Sequence, residues 1–184
     1  DLGNSAIAMQ SSDDLVAVSP KDGKVLWRLD LGCSTTPSAT ISNGRLIVPS
    51  GGLTALDLSS SGAPSQLWKQ NKLNPNACSP VVADDKVFVV NRTILVCGDF
   101  FTGEVLWQLR IPDANQIWSS PVIAGNRMFL FAMDGSCTVV SIDGKEGKIE
   151  GTNKMGDEVL GSPAISGDAM YVRGAKNLWK ISVK

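Results

Sequence analysis

Histidine is absent from all 184 residues, so the chain lacks the side chain most often used as a general base or metal ligand near neutral pH. No Gly-x-Ser-x-Gly elbow and no phosphate-binding glycine loop appear either, which removes the common hydrolase and nucleotide-binding signatures. The longest apolar runs fall well short of the roughly 18 residues that a membrane-spanning helix needs. A formal net charge of −1 excludes a long-range field that would favour nucleic acid or an anionic membrane. The four cysteines, Cys33, Cys78, Cys97 and Cys137, show neither metal-ligand spacing nor an adjacent pair. They read as buried free thiols, with one disulfide as the other option, since four cysteines allow three pairings. No stretch places apolar residues at helical spacing over the eleven or more residues that a helix needs. What is left is an all-β chain.

What the chain does contain is a repeat. Thr36-Pro37, Ser79-Pro80, Ser120-Pro121 and Ser162-Pro163 recur with a period of about forty residues. Each phrase opens a series of short runs rich in Val, Ile, Leu and Phe, bounded by Gly, Asn, Asp and Ser, as strands and turns are. In the second unit these are Ser79–Val82, Lys86–Val90, Thr93–Cys97 and Glu104–Leu109. Four strands in about forty residues, repeated along the chain, predict the blades of a β-propeller. The boundaries expected are a partial blade at 1–30, blades at 31–70, 71–112 and 113–155, and a partial blade at 156–184. That is about four and a half blades, hence part of a larger propeller. The start of the chain at Asp1 reads as cut and its end as a natural terminus. A Trp-Asp propeller does not fit, because Trp-Asp and Gly-His pairs are both missing.

Within each unit a second pattern recurs. Gly23 precedes Trp27 and Gly103 precedes Trp107 by four residues, while Gly62 precedes Trp68 by six. Asp57, Asp99 and Asp143 lie just before the glycines, Gly147 holding that place in the third full unit. The fullest copy is Cys97-Gly98-Asp99-Phe100-Phe101-Thr102-Gly103-Glu104-Val105-Leu106-Trp107. This pattern resembles the tryptophan-docking motif of the pyrroloquinoline-quinone-like propeller repeats, a family that includes secreted bacterial repeat proteins and an outer-membrane assembly lipoprotein. The resemblance implies that Trp27, Trp68 and Trp107 wedge between blades, seated by the glycines and held by turn-capping aspartates. Two departures stand out, Ser19 in place of the aspartate before Gly23 and Gly151 in place of the tryptophan after Gly147.

The motif residues are thus claimed by stacking, and no catalytic, cofactor-binding or metal-binding residue is assigned. No cofactor is expected. Asp13-Asp14 and Asp84-Asp85 read as solvated turn carboxylates. Residues that break the repeat are the candidates for binding: Trp118, which stands where other units have Ser34, Ala77 and Leu160, together with Arg92, Arg173 and Asp134 near strand turns. Asn91-Arg92-Thr93 also matches a glycosylation triplet. The expected function is a non-catalytic protein-interaction or scaffold module, with no nucleic-acid partner and with self-association through its open strand edges. The alternative is a fragment of a quinone-dependent dehydrogenase whose cofactor site lies outside this chain. The resemblance implies a periplasmic or secreted location.

Overall fold

A computed structural model describes residues 6–59 and 62–182. It contains five antiparallel sheets. The first holds β1 (Ile7–Gln10), β2 (Leu15–Val18) and β3 (Val25–Leu29). The second holds β4 (Thr40–Ser42), β5 (Arg45–Pro49), β6 (Leu53–Asp57) and β7 (Ser65–Gln70). The third is β8 (Val81–Ala83), β9 (Lys86–Asn91), β10 (Ile94–Asp99) and β11 (Val105–Arg110). The fourth is β12 (Val122–Ala124), β13 (Arg127–Phe131), β14 (Ser136–Ser141) and β15 (Lys148–Lys154). The fifth is β16 (Ala164–Ser166), β17 (Ala169–Arg173) and β18 (Leu178–Ser182). Three four-stranded blades between two three-stranded partial blades is the arrangement the sequence predicts. Among the described residues no helix is long and apolar enough to cross a membrane.

Burial explains why the internal strands lack polar alternation. In β9, Val87, Phe88, Val89 and Val90 are all 0% exposed. Val87 and Val89 pack towards the second sheet and Phe88 and Val90 towards the fourth. Each internal sheet therefore has two apolar faces, and the core is a series of interlayers rather than one centre. A bulge recurs where each third strand meets its fourth, after Ala17, Ala55, Cys97 and Val139. The extra residue bends the outer strand beside the tryptophan position.

The repeated phrase proves to be about serine. The Ser38 N–H donates to Ser79 Oγ, the Ser79 N–H to Ser120 Oγ and the Ser120 N–H to Ser162 Oγ, each at 2.9 Å. The Thr40 hydroxyl also donates to the Pro80 carbonyl at 2.7 Å. These bonds tie first strands of successive sheets, so each serine satisfies an amide that no strand ladder reaches. In the second sheet the member of this ladder is Ser38 rather than Thr36. Register agrees, since Thr40 opposite Ile47 corresponds to Val81 opposite Phe88. Pro37 thus occupies the place of Cys78, and alignment on proline displaces the first full unit by two residues.

Candidate functional site

Two of the tryptophans sit on glycines of the following sheet. A methyl placed on Gly103 would lie 2.7 Å from the Trp68 ring, and one on Gly147 2.7 Å from the Trp107 ring. Trp68 Nε1 donates to the Phe100 carbonyl at 3.1 Å, and Arg45 reaches across the same boundary to the carbonyls of Phe100 and Phe101. Lys86 repeats that reach one sheet later, to the carbonyls of Ile142 and Gly144. Trp107 stacks tilted on Phe88 at 5.9 Å, while its Nε1 is buried without a partner. Removing about 150–250 Å² of indole surface from water at about 25 cal/mol per Å² stabilises each boundary by roughly 4–6 kcal/mol before entropy. Trp27 is half-buried against the second sheet. Gly62 differs from the expectation: it meets no neighbour within 4 Å, so it does not seat Trp27. Gly23 serves its own turn at φ +72° with open space around it.

The aspartates cap turns. Asp99 Oδ1 accepts from the amides of Phe101 and Thr102 at 2.9 and 2.7 Å. Asp57 accepts from the Ser59 amide and hydroxyl, which hold its carboxyl below the usual range. Asp143 accepts from Asn126 and Ser141, with the same effect on its pKa. Asp14 pairs with Arg28 at the surface, and Asp84 occupies a left-handed turn at φ 50°. No group of three or more His, Cys, Asp or Glu converges among the described residues. All four cysteines are free and buried, and desolvation pushes the Cys78, Cys97 and Cys137 thiols up to about 12.

The candidate binding residues lie along one rim, built from the turns between second and third strands and the loops that enter each sheet. The Ile117 N–H donates to the Arg92 carbonyl at 3.2 Å, and this bond sets Trp118 beside Arg92. Ile117 is buried in the core, whereas its neighbour Trp118 is 46% exposed. Arg92 is exposed and held at φ 57°, a region that costs a non-glycine residue about 1–2 kcal/mol. It shares a polar cavity of about 480 Å³ with Arg110, Asn74, Asn76, Asn91 and Thr93. Neither arginine joins an ion pair among the described residues. Asp134 caps its own turn through Ser136, which lowers its pKa. It lines a separate cleft with Asp157 and Lys176. Arg173 ends β17, exposed, in the last sheet. The structure therefore places Trp118 beside Arg92 and ties the turn before Asp134 to the same loop, since the Met133 N–H donates to the Gln116 carbonyl at 2.8 Å, while Arg173 lies in the last sheet.

Sequence reasoning missed Arg110, at the end of β11, and Asn74 and Asn76, in the loop between β7 and β8, whose only signal was polarity. It also missed Asp157, which is 5% exposed. Desolvation works to raise its pKa, but amides of Lys176 and Asn177 and the Trp179 indole outweigh that, and the carboxyl is held below its ordinary value. Gly135 and Gly174 press so closely on Asp157 that neither tolerates a side chain. Asp157 thus binds the loop before β16 to the turn after β17.

Comparison with known proteins agrees with this architecture. A search of curated proteins finds no match. BamB from Moraxella catarrhalis superposes with a TM-score of 0.71 at 18% identity, over 96% of this chain and 57% of that one. A europium-containing methanol dehydrogenase superposes with a TM-score of 0.68 at 12% identity, over 91% of this chain and 47% of that one. At these identities the superpositions speak for the fold, and the chain spans about half the length of either structure. The family profile described as outer membrane protein assembly factor BamB matches residues 11–98, 51–150 and 101–184. Matched from residue 11 to its last residue, this chain belongs to the BamB family of quinone-like β-propeller repeats.

Proposed function

We propose that this chain is a protein-interaction module of an extracytoplasmic assembly, periplasmic or secreted, that presents the Arg92–Trp118 rim to a partner protein. The observation that carries the reading is an exposed off-repeat tryptophan on the same rim as Arg92 and Arg110, which line a cavity of about 480 Å³ and join no ion pair among the described residues. Tryptophan and arginine are the residues most often found as interface anchors. Membership of a family described by an assembly factor supports the same class of role. The motif residues, by contrast, are spent on packing sheet against sheet.

A photo-crosslinking residue at position 118 tests this in cells that produce the protein. The expected result is an adduct with one protein species, lost when Arg92→Glu is added, and no adduct from position 101 on the opposite rim. Equal adducts from both positions, or none from 118, contradict the reading. The dehydrogenase alternative is separated by thermal unfolding with pyrroloquinoline quinone and calcium. A ligand that binds only the folded state must raise the midpoint, so the interaction reading expects no shift and a saturable rise favours the alternative.

Self-association through the open edges belongs to the same reading. Among the described residues, β1 is unpaired on the side where internal sheets carry a first strand, and β18 where they carry a fourth. Ile7 and Met9 are 50% and 52% exposed, while Leu46 and Val48, their counterparts in the second sheet, are 2% and 0%. Exposed apolar edges recruit further chains. Light scattering over a range of concentrations should show rising mass, and a constant monomer mass contradicts the proposal.

A further inference from the structure

One tryptophan position in the repeat is empty, and much of the apolar surround that a tryptophan would meet is retained, although the glycine turn of the following sheet that seats Trp68 and Trp107 has no counterpart among the described residues. Trp27 stands opposite Ala17, Trp68 opposite Ala55 and Trp107 opposite Cys97; in the fourth sheet Gly151 stands opposite Val139. A side chain added at Gly151 would meet nothing within 4 Å. A cleft of about 400 Å³ opens on this face, between the fourth and fifth sheets.

Five residues of the cleft's lining correspond by register to members of the cluster on which Trp107 packs. Trp107 packs on the cluster that contains Ala83, Phe88, Ile123, Met128 and Val140. The cleft is lined by Ala124, Phe129, Ile165, Met170 and Ile181. Register fixes the correspondence: Phe88 lies between Val81 and Cys97 as Phe129 lies between Val122 and Val139. Met128 is flanked by Ile123 and Val140 as Met170 is by Ile165 and Ile181. Ile165 and Ile181 are 42% and 46% exposed, whereas Val140, the counterpart of Ile181 at the sister boundary, is 0% exposed.

Building on the interaction reading above, we propose that this vacant seat receives a tryptophan side chain carried on an extended segment of a partner protein. The occupant is suggested by the sister boundary, where the corresponding residues belong to the cluster against which Trp107 of the outer strand β11 packs. β18 contributes Ile181 and Ser182 to the cleft, and among the described residues no strand pairs with its outer edge, the side on which an extended segment would add. Asp168 at the cleft's margin supplies a carboxylate for the indole N–H, a role that the Phe100 carbonyl plays for Trp68.

The probe is a capped pentapeptide with the sequence of β11, Val-Leu-Trp-Gln-Leu, titrated into the whole chain while the Met170 methyl is followed by NMR. The proposal expects a saturable shift of that methyl, at least about tenfold weaker affinity when alanine replaces the peptide's tryptophan, and loss of binding in Gly151→Trp. Gly151→Trp should also unfold at a higher temperature, its own indole filling the seat. Should that variant fail to fold, Ile165→Lys, a change at an exposed position, must abolish the shift instead. No movement of the Met170 methyl at millimolar peptide overturns the proposal, and so does undiminished binding to Gly151→Trp or to Ile165→Lys. Free indole binding as tightly as the peptide overturns it too, in favour of a small-molecule pocket. Crosslinking from position 118 does not pass through this cleft, so failure here leaves the rim reading to its own test.

Discussion

Gly103 meets two demands at once, a backbone at φ +76° and an indole ring 2.7 Å from where its Cβ would lie. Gly23 meets only the first, at φ +72° with open space around it. Gly23→Ala should therefore cost about 1–2 kcal/mol, from backbone strain alone. Gly103→Ala should cost about 2–4 kcal/mol, because overpacking adds to strain. Denaturant midpoints decide between them, and equal losses would mean that the Trp68 contact adds nothing. Asp157 carries a pH signature. Its folded-state pKa lies below the ordinary value, so its contribution is present above the unfolded pKa of about 3.9 and is lost as pH falls through the folded one. Asp57, Asp134 and Asp143, also lowered, act with the same sign. Unfolding midpoints measured from neutral pH into acid should fall less steeply for Asp157→Asn than for the parent chain. An unchanged acid slope would show that the Lys176–Asn177 turn holds without the charge.

At the scale of elements, the serine ladder makes a prediction that a stack held by tryptophans alone would not. Ser120→Ala removes the acceptor of the Ser79 amide, so that amide should exchange faster while the chain loses about 1 kcal/mol. Unaltered exchange at Ser79 would show the ladder to be incidental. The strands themselves were legible in sequence because β-branched and aromatic runs alternate with Gly, Asn and Asp turns, and the period of about forty residues exposed the blades. The ladder was half legible. Proline drew attention to the phrase, yet serine makes the bond, and only register shows that Ser38 takes the role suggested by Thr36. Asp157 was not legible, because its partners lie 19 to 22 residues away and no other unit has a counterpart to compare. The Arg92–Arg110 cavity was half legible: Arg92 broke the repeat, but Arg110 ends a strand where a charge is unremarkable in sequence.

Taken as a whole molecule, the chain divides its residues by whether they obey the repeat. Those that obey it fill the interlayers between sheets, so their loss weakens two blades at once. Those that break it lie on the rim or leave a seat empty, as Trp118 and Gly151 do, and the binding proposals rest on them. The two exposures make the division measurable, since Trp107 packs in the boundary between the third and fourth sheets while Trp118 is 46% exposed. The most direct test is the unfolding free energy of Trp107→Ala set beside that of Trp118→Ala. The division predicts a loss of about 3–5 kcal/mol for the first and a change within about 0.5 kcal/mol for the second; comparable losses for both would contradict it, making Trp118 another packing residue and leaving the rim without its anchor.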